Sequence, residues 1–484
     1  MRQPASEAKW ESLFSRRSES VIKPGLERIR EAWQALSFDK LSIKFILVAG
    51  TNGKGSTSGM LWHLLAASGY RCGLFTSPHL LYFRERFQVS TEETTDHHIE
   101  ESLESIRSKL APDIYDQLSF FELSTLIAVD IFRRNQCEYG ILEVGLGGRL
   151  DSTNIVDPMI TAVTSIELDH QQWLGTTYSE IAGEKLGISR PGTALYWNET
   201  DTELKGLEPL LDHHATGLDV PIFRQGREFG TTESEAYRTL KSGQTVSATF
   251  PQWLQSGPQF LKKNFSLSLA IFSRLIETEN PVSEDSDSAS MSIVSEALAK
   301  FAKPEIPWPH SLQGRFQSLT LREPGDTESR SGDTESRSHA GTRFILDVAH
   351  NKAAIEEFRR NTARLGFHAA NPLPLIVSIL SDKDINSMLD VLKKIGSPII
   401  LFKACSDRSF STEHLEARHK DIIIFDQFAA AWEYAKEQWL KDFQTLAVCG
   451  SFLAVGEVLH YFSVSSQDKI PAVHPGGGTS LTVP

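Results

Sequence analysis

The feature that most constrains this chain is a glycine-rich turn wedged between an apolar run and a helix pattern. Lys44-Phe45-Ile46-Leu47-Val48-Ala49 is short, apolar and rich in strand formers. Gly50-Thr51-Asn52-Gly53-Lys54-Gly55-Ser56 breaks it, and Thr57–Ser68 then carries apolar residues at helical spacing and closes at Gly69. A second strand is predicted over Arg71–Thr76, so the order is strand, helix, strand, the unit of a parallel sheet. Glycines let such a turn fold tightly enough for successive N–H groups to converge on phosphate oxygens, and the helix N-terminus adds a positive end. Lys54 supplies a point charge for the outer phosphates, and Ser56 is within reach of a magnesium ion. The spacing departs from the common G-x-x-x-x-G-K-[ST]: three residues separate Gly50 from Lys54, and one stands between Lys54 and Ser56. A glycine-rich turn without a ligand is the plainer alternative.

More strands and helices follow in alternation. Phe121–Phe132 reads as an amphipathic helix, Tyr139–Val144 as a strand covered on both faces, and Met159–Ile166 as another strand. The expected fold class is α/β, with a doubly wound domain over 1–308 that carries the P-loop-type turn. The pattern restarts at Phe344–Val348 and continues through Leu373–Leu380, Pro398–Phe402, Ile422–Phe425 and Thr445–Cys449, a smaller Rossmann-like domain over 309–464. Residues 465–484, rich in Gly and Pro, are expected to be a disordered tail. Two insertions are expected to be solvated loops: the acidic, Ser-rich Glu279–Ser292, and Gly325–Ser338, where GDTESRS occurs twice in tandem.

Composition narrows the partners. With 49 Lys and Arg against 62 Asp and Glu, the net charge is −13, a poor match for nucleic acid or an anionic membrane surface. Any polyanion site must be built locally. No apolar run approaches the ~18 residues a membrane span needs, and MRQPASEAKWESLF has no signal-peptide core. Cys72, Cys137, Cys405 and Cys449 are too sparse for a disulfide scaffold or zinc site, which points to a reducing, cytoplasmic setting.

Three further motifs stand near strand ends, where open α/β sheets bind ligands. Glu143-Val144-Gly145-Leu146-Gly147-Gly148-Arg149-Leu150-Asp151-Ser152-Thr153-Asn154 begins with a carboxylate suited to magnesium; its glycines do not fit the dinucleotide fingerprint. Ser165-Ile166-Glu167-Leu168-Asp169-His170 offers an imidazole able to coordinate a second metal, although a lone His is more often a surface or core residue than a ligand. In Glu184-Lys185-Leu186-Gly187-Ile188, Lys185 taken alone reads as a helix salt-bridge partner.

Together with Thr76-Ser77-Pro78-His79-Leu80, these motifs give the chain an order and spacing that resembles the folylpolyglutamate synthase family. That family includes the dihydrofolate synthases and is related to the Mur peptidoglycan ligases. His310-Ser311-Leu312-Gln313-Gly314-Arg315-Phe316, Leu346-Asp347-Val348-Ala349-His350-Asn351 and Gly450-Ser451-Phe452-Leu453 extend the match, so that it covers roughly residues 24–460. The resemblance implies an ATP-dependent amide ligase that activates a folate carboxylate as an acyl phosphate and joins it to L-glutamate. It implies that Gly50–Ser56, above all Lys54 with the amides of Gly53 and Gly55, holds the phosphates. It further implies that Ser77, Glu143 and, as a third candidate, Ser56 ligate one magnesium ion, and that Glu143 and His170 hold a second. Lys185 matches a lysine that becomes carbamylated. Asn264 occupies the place of an ATP-contacting Asn, and Arg315, Asp347 and His350 reach the nucleotide from the second domain. A monomer is implied. Ser406, Arg408 and Ser411 are candidates for the glutamate pocket.

The implied substrates are dihydropteroate, reduced folates or both, the bacterial pattern. A Mur-type ligase acting on a UDP-muramoyl substrate is the alternative; the 43 residues before the first strand leave little room for a UDP-binding domain. An inactive nucleotide-binding protein would be expected to lack Lys54, Glu143 or His170, and all three are present.

Overall fold

A computed structural model describes residues 23–239, 245–255, 257–279, 286–302, 310–322, 342–406, 408–411, 413, 415, 419, 421–466 and 479–482. The chain divides into two units, Met1–Gln255 with Phe260–Ser311, and Ser256–Gln259 with Leu312–Pro484.

In the first unit the run Lys44–Ala49 forms β1, and all but its first residue are buried. The sheet also contains β2 (Cys72–Phe75), β3 (Phe87–Val89), β4 (Tyr139–Glu143), β5 (Pro158–Val163), β6 (Ala194–Trp197) and β7 (Ile222–Arg224), in the order β3-β2-β4-β1-β5-β6-β7. All pairings are parallel except β2 with β3. β1 lies between β4 and β5, so chain connections depart from it in both directions and leave a crevice at its C-terminal end. The core joins Leu47, Leu142 and Val163 of the strands to Leu123, Leu126 and Ile127 of the helix Phe120–Arg134. Each such side chain, fully buried, contributes roughly 1.5–3 kcal/mol of transfer free energy. A small antiparallel sheet of β8 (Phe229–Thr231), β9 (Glu235–Thr239) and β10 (Thr245–Thr249) follows.

The second unit has its own seven-stranded sheet, ordered β15-β14-β13-β16-β12-β11-β17, in which only the β11–β12 pair is antiparallel. These strands are β11 (Gln317–Arg322), β12 (Thr342–Leu346), β13 (Leu375–Val377), β14 (Ile399–Phe402), β15 (Ile423–Phe425), β16 (Thr445–Cys449) and β17 (Thr479–Thr482).

Three expectations need correction. The helix after the glycine-rich turn starts at Lys54, not Thr57: the turn closes over Gly50–Gly53, and the polar residues Lys54–Ser56 already form the first helical turn. The acidic insertion is not a loop throughout. Residues 280–285 lie outside the described residues, but Ser286–Ala302 is a helix. Its buried Val294, Ala297 and Phe301 fall at helical spacing, and the Phe301 ring stands 5.3 Å from that of His63. The expected tail is not wholly without structure: Thr479–Thr482 pairs with β11, using β-branched threonines that the Gly- and Pro-rich surroundings obscured. The GDTESRS duplication lies outside the described residues.

Candidate active site

The site grows from the tips of β4, β1 and β5. Gly50 and Gly53 have φ of 143° and 90°, conformations closed to most side chains. A Cβ on Gly50 would fall 1.8 Å from Thr164 Oγ1, and one on Gly53 would fall 2.8 Å from Asn264 Nδ2. The glycines therefore let the loop press against the segment after β5 and against Asn264, which sits on the helix Gln259–Glu279. The loop and that segment are stitched together. Thr51 N donates to Ser165 O at 2.8 Å, Asn52 N to Ser165 Oγ at 3.0 Å, and Thr164 Oγ1 to Asn52 O at 2.7 Å.

Two lysines meet at one carbonyl. Lys54 Nζ donates to Gly50 O at 3.1 Å and Thr51 O at 3.0 Å; Lys185 Nζ, from the helix Tyr178–Leu186, donates to the same Gly50 O at 3.1 Å. Lys185 is 3% exposed, and that burial, reinforced by the positive charge of Lys54, pushes its ammonium down to about 7 against the opposing pull of Asp169 and Asp151. Burial thus favours the neutral amine at Lys185.

Glu143 ends β4, in register with Val48 of β1, and is 3% exposed. Its Oε2 accepts from Ser77 N at 3.1 Å, and a Cβ on Gly55 would lie 3.2 Å from the same oxygen. The carboxylate therefore faces the first turn of the Lys54–Ala67 helix. Ser56 Oγ is buried there with no hydrogen-bond partner, and Asn264 Nδ2 likewise has none. An orphaned buried hydroxyl beside a carboxylate fits a hard cation that takes its remaining ligands from water and phosphate oxygens. Among the described residues, no cluster of three or more His, Cys, Asp and Glu could hold a metal ion unaided. His170 closes the segment after β5 with φ 50°, and its N–H donates to Asp169 Oδ1 at 2.8 Å.

The structure thus gathers Gly50–Ser56, Ser77, Glu143, Lys185 and Asn264, with His170 on the segment bound to the loop. Sequence reasoning missed four members. Thr164 and Ser165 lock the loop, Asp169 acts on Lys185, and buried Asp151 accepts from Leu146 N at 2.8 Å. Asp151 lay inside a quoted motif, and its place two residues before Thr153, whose N–H it accepts at 2.9 Å, was a readable turn signal.

The other predicted residues lie in the second unit. Asp347 follows β12, and Ala349 N donates to its Oδ1 at 2.8 Å. Burial pushes its carboxyl up to about 7, although the Arg315 guanidinium works the other way. Arg315 lies 4.8 Å from the centre of the Phe452 ring, and the His350 ring lies 5.5 Å from it, so the three residues share one neighbourhood. Of the pocket candidates, Arg408 is paired with Asp382 at 2.7 Å and its N–H donates to Ser406 Oγ at 3.1 Å.

No protein-family model matches the chain. The chain is 30% identical over 455 residues to the dihydrofolate synthase/folylpolyglutamate synthase of Escherichia coli K12, covering 93% of this chain and 94% of that one. It is similar to a solved structure of E. coli FolC in complex with DHPP and ADP, at 31% identity and a TM-score of 0.72, covering 96% of this chain and 99% of the other. It is also similar to the bifunctional folylpolyglutamate synthase/dihydrofolate synthase of Yersinia pestis complexed with AMPPNP and Mn, at 28% identity, a TM-score of 0.72, and 95% and 99% coverage. A glycine-rich loop, an acid and a buried lysine at adjoining strand tips, on a chain related over nearly its whole length to these enzymes, place it in the dihydrofolate synthase/folylpolyglutamate synthase family.

Proposed function

We propose that the chain is an ATP-dependent ligase that joins L-glutamate to dihydropteroate, to reduced folates or to both. The observation that carries this reading is the convergence of Lys54, Lys185 and Glu143 on the loop at the tips of β4, β1 and β5. A free carboxylate is a poor electrophile. In the first step it attacks the γ-phosphorus of ATP, the bond to the β,γ-bridging oxygen breaks, and ADP leaves an acyl phosphate behind. In the second the neutral amine of glutamate attacks the acyl carbon. The tetrahedral intermediate expels inorganic phosphate and the amine proton is lost, leaving an amide.

The chain's part is positioning and charge. Loop N–H groups and Lys54 bind the phosphates and offset charge as it moves toward the leaving oxygen. Ser77, Glu143 and the orphaned hydroxyl of Ser56 would hold one magnesium ion, and Glu143 with His170 a second; such ions, when bound, neutralise phosphate charge. Asn264 lies over Gly53, where its amide would meet the nucleotide. Arg315, Asp347 and His350 would be nucleotide ligands on the family resemblance alone. A neutral Lys185 amine adds to carbon dioxide, losing a proton, and becomes a carbamate anion. That exchange turns its repulsion from Lys54 into attraction and supports the metal site.

Three of the four cysteines are buried and none is in a disulfide, in keeping with a reducing cytoplasm; no helix among the described residues is long and apolar enough to cross a membrane. We read the protein as a monomer with small-molecule partners only. The test is glutamate-dependent ADP release, run separately with dihydropteroate and with tetrahydrofolate. Turnover with at least one is expected; turnover with a UDP-muramoyl substrate and with neither of these would instead make it a Mur-type ligase.

A further inference from the structure

The segment that carries Asp169 and His170 is held from two sides. One side is the phosphate loop. Glu167 N donates to Thr51 Oγ1 at 3.0 Å, and that hydroxyl lies 3.3 Å from Glu167 O. The other side comes from the tip of the neighbouring strand β6. Glu199, two residues past β6, accepts from Ile166 N at 2.8 Å through Oε2 and from Asp201 N at 2.8 Å through Oε1. Lys205 closes the arrangement. Its Nζ donates to Ile166 O at 2.6 Å, Glu199 Oε2 at 2.9 Å and Glu167 Oε1 at 3.1 Å, which uses all three ammonium protons. It also lies 5.3 Å from the centre of the Tyr178 ring, the first residue of the helix that carries Lys185.

Lys205 and Glu199 are almost closed to solvent, with side chains 9% and 5% exposed. A surface pair contributes little, but a buried ammonium facing two carboxylates is different. Without it, Glu199 and Glu167 repel each other, and the Ile166 carbonyl loses its donor. The strand-tip segment then keeps the Ile166 N–Glu199 bond but loses its ties to Lys205, and more of the load falls on its stitching to Thr51 and Asn52.

We infer that Lys205 is a positioning residue of the ligase, whose contacts to Glu199, Glu167, Ile166 and Tyr178 hold the Thr164–His170 segment and the Lys185 helix in register with the phosphate loop. The inference rests on the ligase reading given above, though its geometry does not. Lys205 touches no reacting atom; it acts through Glu167 on Thr51 and through the segment on Asp169 and His170.

The experiment compares the full chain with Lys205→Met and with the double variant Glu199→Gln/Lys205→Met. The readouts are kcat, the KM for glutamate, the affinity for a fluorescent ATP analogue with magnesium, and the melting temperature. Lys205→Met is expected to lower kcat about tenfold or more and to weaken the analogue severalfold, with the KM for glutamate little changed. The double variant removes both buried charges, so its melting temperature is expected to return toward wild type, while kcat and analogue affinity stay low. Recovery of kcat together with melting temperature would make the pair merely structural and overturn the inference, as would a Lys205→Met enzyme within twofold of wild type in both kcat and analogue affinity. If wild type turns over neither dihydropteroate nor tetrahydrofolate, the ligase reading fails on its own, and analogue affinity still decides for or against Lys205.

Discussion

Both units set polar residues just past the ends of parallel strands, and burial suppresses a charge of opposite sign in each. Past β1 and β5 in the first, two lysines share the carbonyl of Gly50, and the buried one is driven toward neutrality. Past β12 in the second, a carboxyl is driven toward its neutral acid form despite a nearby guanidinium. The local chain explains the contrast. The first has a glycine loop whose positive φ values at Gly50 and Gly53 let it close against Thr164 and Asn264. Past β12, Asn351 caps the helix Lys352–Arg364, and Asp347 accepts from the Ala349 amide. One layout thus holds a suppressed ammonium in one place and a suppressed acid in another.

The sharpest way to break this comparison is Lys54→Ala. If the first tip is an anion cradle, the substitution lowers kcat roughly 10²–10³-fold, the scale of losing one preorganised charge-stabilising group, with an unchanged far-ultraviolet spectrum. Near-normal glutamate-dependent ADP release would mean that the cradle lies elsewhere.

Next comes Lys185. A neutral amine takes up carbon dioxide, so ¹³C-bicarbonate is expected to give a carbamate carbonyl resonance that Lys185→Met abolishes. The signal grows as pH rises through about 7, and the variant loses roughly 10- to 100-fold in turnover. Wild-type enzyme without that resonance, yet fully active after carbon dioxide removal, would leave Lys185 as an ordinary buried amine.

The last effect is on stability rather than turnover and belongs to Asp347. Its folded value of about 7 lies above the usual carboxylate value, so between the two the folded chain holds a proton that the unfolded chain releases. Its contribution is most favourable below the unfolded value and is lost as pH rises through about 7. Asp347→Asn removes the charge and should stabilise the second unit by on the order of 2–4 kcal/mol at pH 8 and by much less at pH 4–5. Urea midpoints at the two pH values check the sign; equal shifts would mean the carboxyl is not suppressed.

The strands and the glycine loop were legible because apolar runs and turn residues carry their signals locally. Lys54 and Glu143 stood in motifs at element ends, whereas Lys185 taken alone read as a helix salt-bridge partner and was singled out by the family resemblance. What escaped were residues whose part depends on distant contacts. Asp169 matters through its field at Lys185, and Lys205 through Glu199 and Ile166, more than thirty residues upstream in the latter case. The helix Ser286–Ala302 escaped for another reason: the buried residues among its described side chains, Val294, Ala297 and Phe301, follow acidic and serine-rich text.

The pairing of Thr479–Thr482 with β11 has a practical consequence for handling the protein. Those four residues cap the outer margin of the second sheet, so trimming them would bare a row of backbone donors and acceptors along β11, an invitation to intermolecular pairing. An affinity tag is better fused at the other end of the chain.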